Sequence, residues 1–155
     1  MKLALVLVAV APALAHADPG DRPWHGSVSA GGTLLLTGDD GQRGRFELEA
    51  DLEPGSRFGV LVAWRQGSTS HDGLLGAGLV YEAAAARPRL VVDLHADAGA
   101  DLDQRAPMLG GGIRTSILLF GPIGIALDTG GYLTIAGISG TRLAIATGAA
   151  IVAAF

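Results

Sequence analysis

Along residues 45–52 apolar and charged side chains alternate without a break. Phe46, Leu48, Ala50 and Leu52 occupy one parity; Arg45, Glu47, Glu49 and Asp51 occupy the other. A period of two marks a β-strand with chemically distinct faces. The same period recurs downstream. Phe58, Val60, Val62 and Trp64 oppose Gly59, Leu61, Ala63 and Arg65; Leu90, Val92, Leu94 and Ala96 oppose Asp93, His95 and Asp97. Ile113, Thr115, Ile117 and Leu119 oppose Gly112, Arg114 and Ser116, and Ile123, Ile125, Leu127, Leu133 and Ile135 oppose Gly124, Ala126, Asp128 and Thr134. Near the end, Leu143, Ile145, Ile151 and Phe155 face away from Arg142, Ala144, Ala146, Gly148 and Ala150. Gly, Pro and Asp clusters punctuate these runs and divide the chain into eight predicted strands: 24–37, 45–52, 57–66, 73–84, 89–97, 108–120, 123–136 and 142–155.

The predicted connections alternate in kind. Those at 53–56, 86–88 and 121–122 are short and contain proline, whereas 38–44, 67–72 and 98–105 are longer and polar; the pattern fits if the last connection at that end, 137–141, is itself short. An even number of antiparallel strands joined in this way predicts an all-β, up-and-down closed barrel over residues 24–155, after a short segment at 18–23. The two faces then fix its orientation. A soluble eight-stranded barrel must fill its interior with the bulky apolar face. Here the charged face is also the one rich in Gly, Ala and Ser, which suits a narrow lumen, and none of the apolar faces named above carries a charge. The sequence therefore predicts large aliphatic groups outside and ionised groups inside. Phe120 is out of phase with Leu119, which requires a bulge or an inward ring there.

The chain begins with Lys2, an apolar run from Leu3 to Leu14 and small residues around Ala15-His16-Ala17. This pattern predicts a signal peptide over 1–17, with cleavage after Ala17 or alternatively after Ala15. The apolar run is shorter than the roughly 20 residues that span a bilayer as a helix. Removing it leaves 155 − 17 = 138 residues and takes away the only lysine, so the net charge of −4 becomes −5. An acidic chain without a basic cluster argues against nucleic acid as a partner. The absence of cysteine means that no disulfide supports the fold. One stretch, Ile117–Ile138, is apolar enough to test as a membrane helix. Its ten large apolar residues contribute about −3 to −6 kcal/mol on an insertion scale. Asp128 opposes this with roughly +2.5 to +3.5 kcal/mol, Pro122 with about +3 and five glycines with about +1 each, so the helix is disfavoured.

Together the signal peptide, the eight alternating strands and the terminal Phe155 resemble the small outer-membrane barrels of the OmpA and OmpX type, across the whole mature chain and at the level of pattern. The resemblance implies an outer-membrane location in a Gram-negative bacterium, lipid as the surrounding partner and a monomer. It also implies that Phe155 and Ile151 form the C-terminal signal read by the barrel-assembly machinery. Ala153, Ala149 and Thr147 are smaller than is usual for that signal. Trp24, Phe58, Phe120 and Phe155 fall toward the ends expected to face the periplasm, and Phe46 and Trp64 toward the outer rim. That distribution matches interfacial aromatic girdles.

The candidate chemistry lies on the charged face. Glu47, Glu49, Asp51, Arg65, Glu82, Asp93, His95, Asp97, Arg114, Asp128 and Arg142 form an expected lumen charge network, in which acids outnumber arginines. Such an excess demands water, protonated carboxyls or a bound cation. Asp93, His95 and Asp97 present metal-ligand types in a row, but nearly 7 Å apart along one strand, so a single metal would need ligands from a neighbour. Asp97, Asp101 and Asp103 lack the spacing and closing Glu of an EF-hand. Ser70-His71-Asp72 are triad types too close in sequence to face one another, and Gly110-Gly111-Gly112 lacks the Lys-Ser of a phosphate loop. The expectation is a non-enzymatic integral outer-membrane protein without cofactor or metal, its lumen filled rather than porous, with surface contacts made by its loops. A soluble lipocalin-like periplasmic carrier and an outer-membrane lipid-modifying enzyme are the alternatives.

Overall fold

Eight antiparallel strands follow one another in chain order, and the last pairs with the first to close the sheet. The computed structural model describes residues 25–36, 44–53, 57–67, 73–86, 89–102, 104–137 and 140–155. The strands are β1 (His25–Leu35), β2 (Gly44–Glu53), β3 (Phe58–Gln66), β4 (Gly73–Ala86), β5 (Leu90–Asp101), β6 (Ala106–Phe120), β7 (Ile123–Thr134) and β8 (Arg142–Ala154). The number and order of strands are those the alternation predicts. The predicted signal peptide, the segment at 18–23, Trp24, Ser70-His71-Asp72 and Asp103 lie outside the described residues.

Every seam is antiparallel and long. In β1 and β8 the register runs from Ser27 opposite Ala154 to Leu35 opposite Ala146. Beyond it, Gly26 and Phe155 exchange two backbone hydrogen bonds of 3.0 Å. Closure removes the unpaired edges that would otherwise template aggregation. Connections at the end that carries the termini span 54–57, 87–89 and 121–122; those at the far end span 36–43, 67–72, 102–105 and 135–141.

Two strand pairs contain register shifts. One lies between Glu82 and Ala84 on β4, and the other between Leu118 and Phe120 on β6. The second answers the phase problem at Phe120. The extra residue lets Leu119 and Phe120 both point outward, with Phe120 79% exposed, while Leu118 stays buried.

The chain departs from expectation between β5 and β6. Residues 98–105 read as a loop because they are rich in Gly, Ala and Asp, yet Ala98–Asp101 continue β5 opposite Ala106–Leu109 of β6. The connection shrinks to 102–105, where Arg105 adopts a left-handed φ of 50°. Pairing across an already formed ladder outweighs the weak strand propensity of those residues.

The faces divide as the alternation requires. Phe58, Val60, Val62, Leu79, Leu127 and Ile151 on the outer surface are all more than half exposed. The charged parity of β2, β5 and β6 points into the lumen, where Glu49, Asp51, Asp93, His95, Asp97 and Arg114 are buried and Arg45 and Glu47 half-buried. Aromatic pairs mark both rims: Phe46 meets Trp64 edge-on at 6.3 Å, and Phe58 meets Tyr81 at 4.7 Å. Among the described residues no helix is long and apolar enough to cross a membrane.

Candidate functional site

Among the described residues, ionisable groups concentrate in the lumen. Period-two alternation on β2 sends Glu47, Glu49, Asp51 and Glu53 inward, and the same geometry sends Asp93, His95, Asp97 and Asp101 inward from β5. Arg65 of β3 and Arg114 of β6 enter from opposite sides of the barrel.

Arg65 is fully buried. Its Nε lies 2.8 Å from Glu47 Oε1, and its terminal nitrogens lie 3.3 Å from Asp97 Oδ2 and 3.8 Å from Glu49 Oε2. The guanidinium carbon sits 4.6 Å from the Tyr132 ring centroid, within cation–π range. Arg114 donates to Asp51 Oδ2 at 2.7 Å and Asp93 Oδ2 at 3.3 Å, and also to Glu49. Glu49 therefore touches both guanidinium groups and joins the two halves of the network. His95 Nε2 stands 2.9 Å from Asp128 Oδ2, and its Nδ1 is 3.9 Å from Asp97 Oδ1. Hydroxyls extend the network outward: Thr33 donates to Glu47, Ser27 to Asp51 at 2.6 Å and Thr134 to Asp101 at 3.3 Å.

Glycines give these charges room. A Cβ built on Gly76 would lie 2.5 Å from Asp97 Oδ2, and one on Gly110 would lie 2.6 Å from Asp97 Oδ1. The Asp97 carboxylate thus rests between two strands that have no side chain at its height. Gly110-Gly111-Gly112, set aside above as a phosphate loop, is strand backbone in β6.

Buried apolar clusters pack inside the barrel beside the charges. Leu74, Met108, Tyr132 and Ala146 pack together toward the far end. Leu61, Ala63 and Val80 form a second cluster, and Leu118, Ala126 and Val152 form a third toward the terminal end. The cavities left among the lumen charges measure about 70 and 20 Å³. A water needs roughly 10–15 Å³, so each of these two holds no more than a few small molecules. The sequence pattern emphasised small and charged residues and gave these inward-facing leucines, valines and methionine too little weight.

Of the eleven residues expected in the network, the structure places Glu47, Glu49, Asp51, Arg65, Asp93, His95, Asp97, Arg114 and Asp128 in one connected set. Glu82 is buried at the terminal end of the lumen. Arg142 has the inward parity but begins β8 at the far rim, where it is exposed. It stands outside the central set because alternation specifies a face and not a depth. Glu53, Asp101 and Tyr132 belong to the interior and were not singled out. Their parity was available, since Glu53 extends the run of Glu47, Glu49 and Asp51, and Tyr132 shares the face of Asp128 and Thr134. Glu53 was masked by the turn signal of Pro54-Gly55, and Asp101 by the loop composition around it. Among the described residues, no three His, Cys, Asp or Glu groups are placed to ligate a metal directly. In the Asp93, His95 and Asp97 row, the two aspartates are instead engaged by Arg114 and Arg65.

The arrangement can neutralise charge and brace the strands across the lumen. Its arginines are held by carboxylates and are not directed at an open cleft. Compared with protein-family models, with curated proteins and with solved structures, the chain matches none.

Proposed function

We propose that the chain is a non-enzymatic integral outer-membrane β-barrel, delivered by a cleaved signal peptide. In this reading its lumen is plugged, and whatever contacts it makes at the cell surface are made by its far-end loops. One observation carries the proposal: the strands turn bulky aliphatic side chains outward, and the interior takes the charges. In water that arrangement would leave large apolar side chains of every strand from β2 to β8 exposed, whereas monomeric soluble proteins rarely expose contiguous apolar patches larger than a few hundred Å². Hydrocarbon is the solvent that suits it. The dimensions agree as well. Nine residues of β3 at about 3.4 Å each, tilted by about 40°, climb roughly 23 Å, against an apolar band of about 25 Å in outer-membrane barrels.

A soluble carrier of apolar ligands would need Leu, Ile and Val lining a cavity. Here they are mostly outside, and the lumen cavities are small and flanked by carboxylates. The test is fractionation of cells expressing the full chain, followed by electrophoresis with and without heating. Recovery in outer membrane with heat-dependent mobility supports the proposal; release by salt alone, or labelling by a lipid-soluble probe that spares Leu94, Ile125 and Ile145, refutes it.

A further inference from the structure

We propose that His95 carries a proton on both ring nitrogens in the folded barrel and works as a pH-operated clasp, joining β5 to β7 across the bare backbone of β6. Every contact of the clasp lies inside the lumen, so the proposal stands whatever surrounds the barrel.

Both ring nitrogens face carboxylates. Nε2 lies 2.9 Å from Asp128 Oδ2 and Nδ1 lies 3.9 Å from Asp97 Oδ1, and the imidazole is buried. A neutral imidazole has one N–H and one lone pair. In either tautomer that lone pair would be turned on a carboxylate oxygen, and among the described residues no donor reaches either nitrogen. The imidazolium has a proton for each side. Its reach to β7 depends on a gap in β6. His95 stands opposite Gly112, and a Cβ there would lie 2.8 Å from Nε2. Among the described residues Asp128 forms its ion pair with His95 alone.

The surroundings are rich in negative charge. Glu47, Glu49 and Asp51 from β2, Asp93 and Asp97 from β5 and Asp128 from β7 share the central set with two guanidinium groups, Arg65 and Arg114. The imidazolium is the third cation. β4 places Val80 beside His95 and Glu82 opposite Asp93, while Tyr132 of β7 lies against Arg65. The buried Ser29, Thr33 and Ala146 of β1 and β8 carry no charge. Burial works against an isolated charge, but here one proton lets the ring pair with two carboxylates.

The unfolded chain does not hold Asp97 and Asp128 against the ring, so the fold binds this proton more tightly than the unfolded chain does. The clasp is therefore complete at neutral pH and is lost as alkali removes the proton. Its loss leaves Asp128 unpaired beside the cavity of about 20 Å³ that it lines with Glu47 and Glu49.

The chain has four histidines, at positions 16, 25, 71 and 95. His16→Gln, His25→Gln and His71→Gln together leave His95 as the sole histidine. Nitrogen-edited NMR of this full chain, labelled on histidine and folded in neutral detergent, then reads the ring directly. Both nitrogens should be protonated at about pH 8, where an ordinary histidine with a midpoint near 6.5 is neutral. Asp128→Asn in the same background should move the midpoint down by about one unit or more. In urea unfolding, the folding constant of the wild type should fall at least about tenfold further between about pH 7 and pH 10 than that of His95→Gln. Where His95→Gln does not fold, the NMR readings decide. A ring already neutral at about pH 8, or a midpoint that Asp128→Asn leaves in place, overturns the proposal.

Discussion

Leu127 sits midway along β7, 53% exposed on the outer surface, between Thr115 of β6 and Ala149 of β8. Replacing it with arginine separates a barrel in lipid from one in water. At the bilayer midplane an outward arginine costs about 2–4 kcal/mol, and near the interface about 0–1 kcal/mol. On an exposed aqueous surface the same change stays within roughly 0.5 kcal/mol. Leu143, the second residue of β8 and 65% exposed at the far rim, provides the shallow comparison. In urea unfolding from phospholipid vesicles, followed by tryptophan fluorescence, Leu127→Arg is expected to lower the folding constant about 30- to 700-fold. Leu143→Arg should lower it no more than about fivefold, and the denaturant slope should be unchanged in both. Equal effects at the two positions, or a larger loss at Leu143, would show that no hydrocarbon gradient runs along the outer face.

Other outcomes follow from the interior. Arg114→Met strands Glu49, Asp51 and Asp93 around an empty place, with an expected cost of about 3–5 kcal/mol; adding Glu49→Gln and Asp93→Asn should recover much of it in the same unfolding assay. Tyr132→Phe keeps the ring over Arg65 and should cost less than about 1 kcal/mol, whereas Tyr132→Ala opens the far-end cluster at about 3–5 kcal/mol. Gly110→Val drives methyl groups against the Asp97 carboxylate and should destabilise by about 1–3 kcal/mol. In planar bilayers the wild type should show no steady conductance, and discrete open-channel steps would contradict a plugged lumen.

The architecture was written in the alternation of β2, β3, β5, β6, β7 and β8, because a period of two fixes which side chains share a face, whatever the pairing partner. Depth and length along the barrel were not written there. Arg142 and Arg114 have equivalent patterns locally, yet one ends at the rim and the other at the centre, since height depends on register with neighbours that no single strand encodes. Asp101 was hidden for a related reason: Ala98-Gly99-Ala100 becomes strand because it is paired on both sides, with Leu75-Gly76-Ala77 of β4 and Pro107-Met108-Leu109 of β6. The two-residue bulge at Leu119 and Phe120 was legible as a break in phase. The counterpart at Glu82 and Ala84 was not, since a run of four alanines carries no phase to break.

The reach of Arg114 bears on assembly. Its partners lie on β2 and β5, 63 and 21 residues away along the chain. No isolated hairpin can therefore satisfy it, and β2 through β6 must be gathered before their opposite charges meet. If the barrel enters a bilayer as proposed, strands arriving singly would each carry bare ions toward the hydrocarbon, whereas a half-formed cylinder delivers them already neutralised. On that reading the interior favours insertion as a curled sheet over insertion strand by strand.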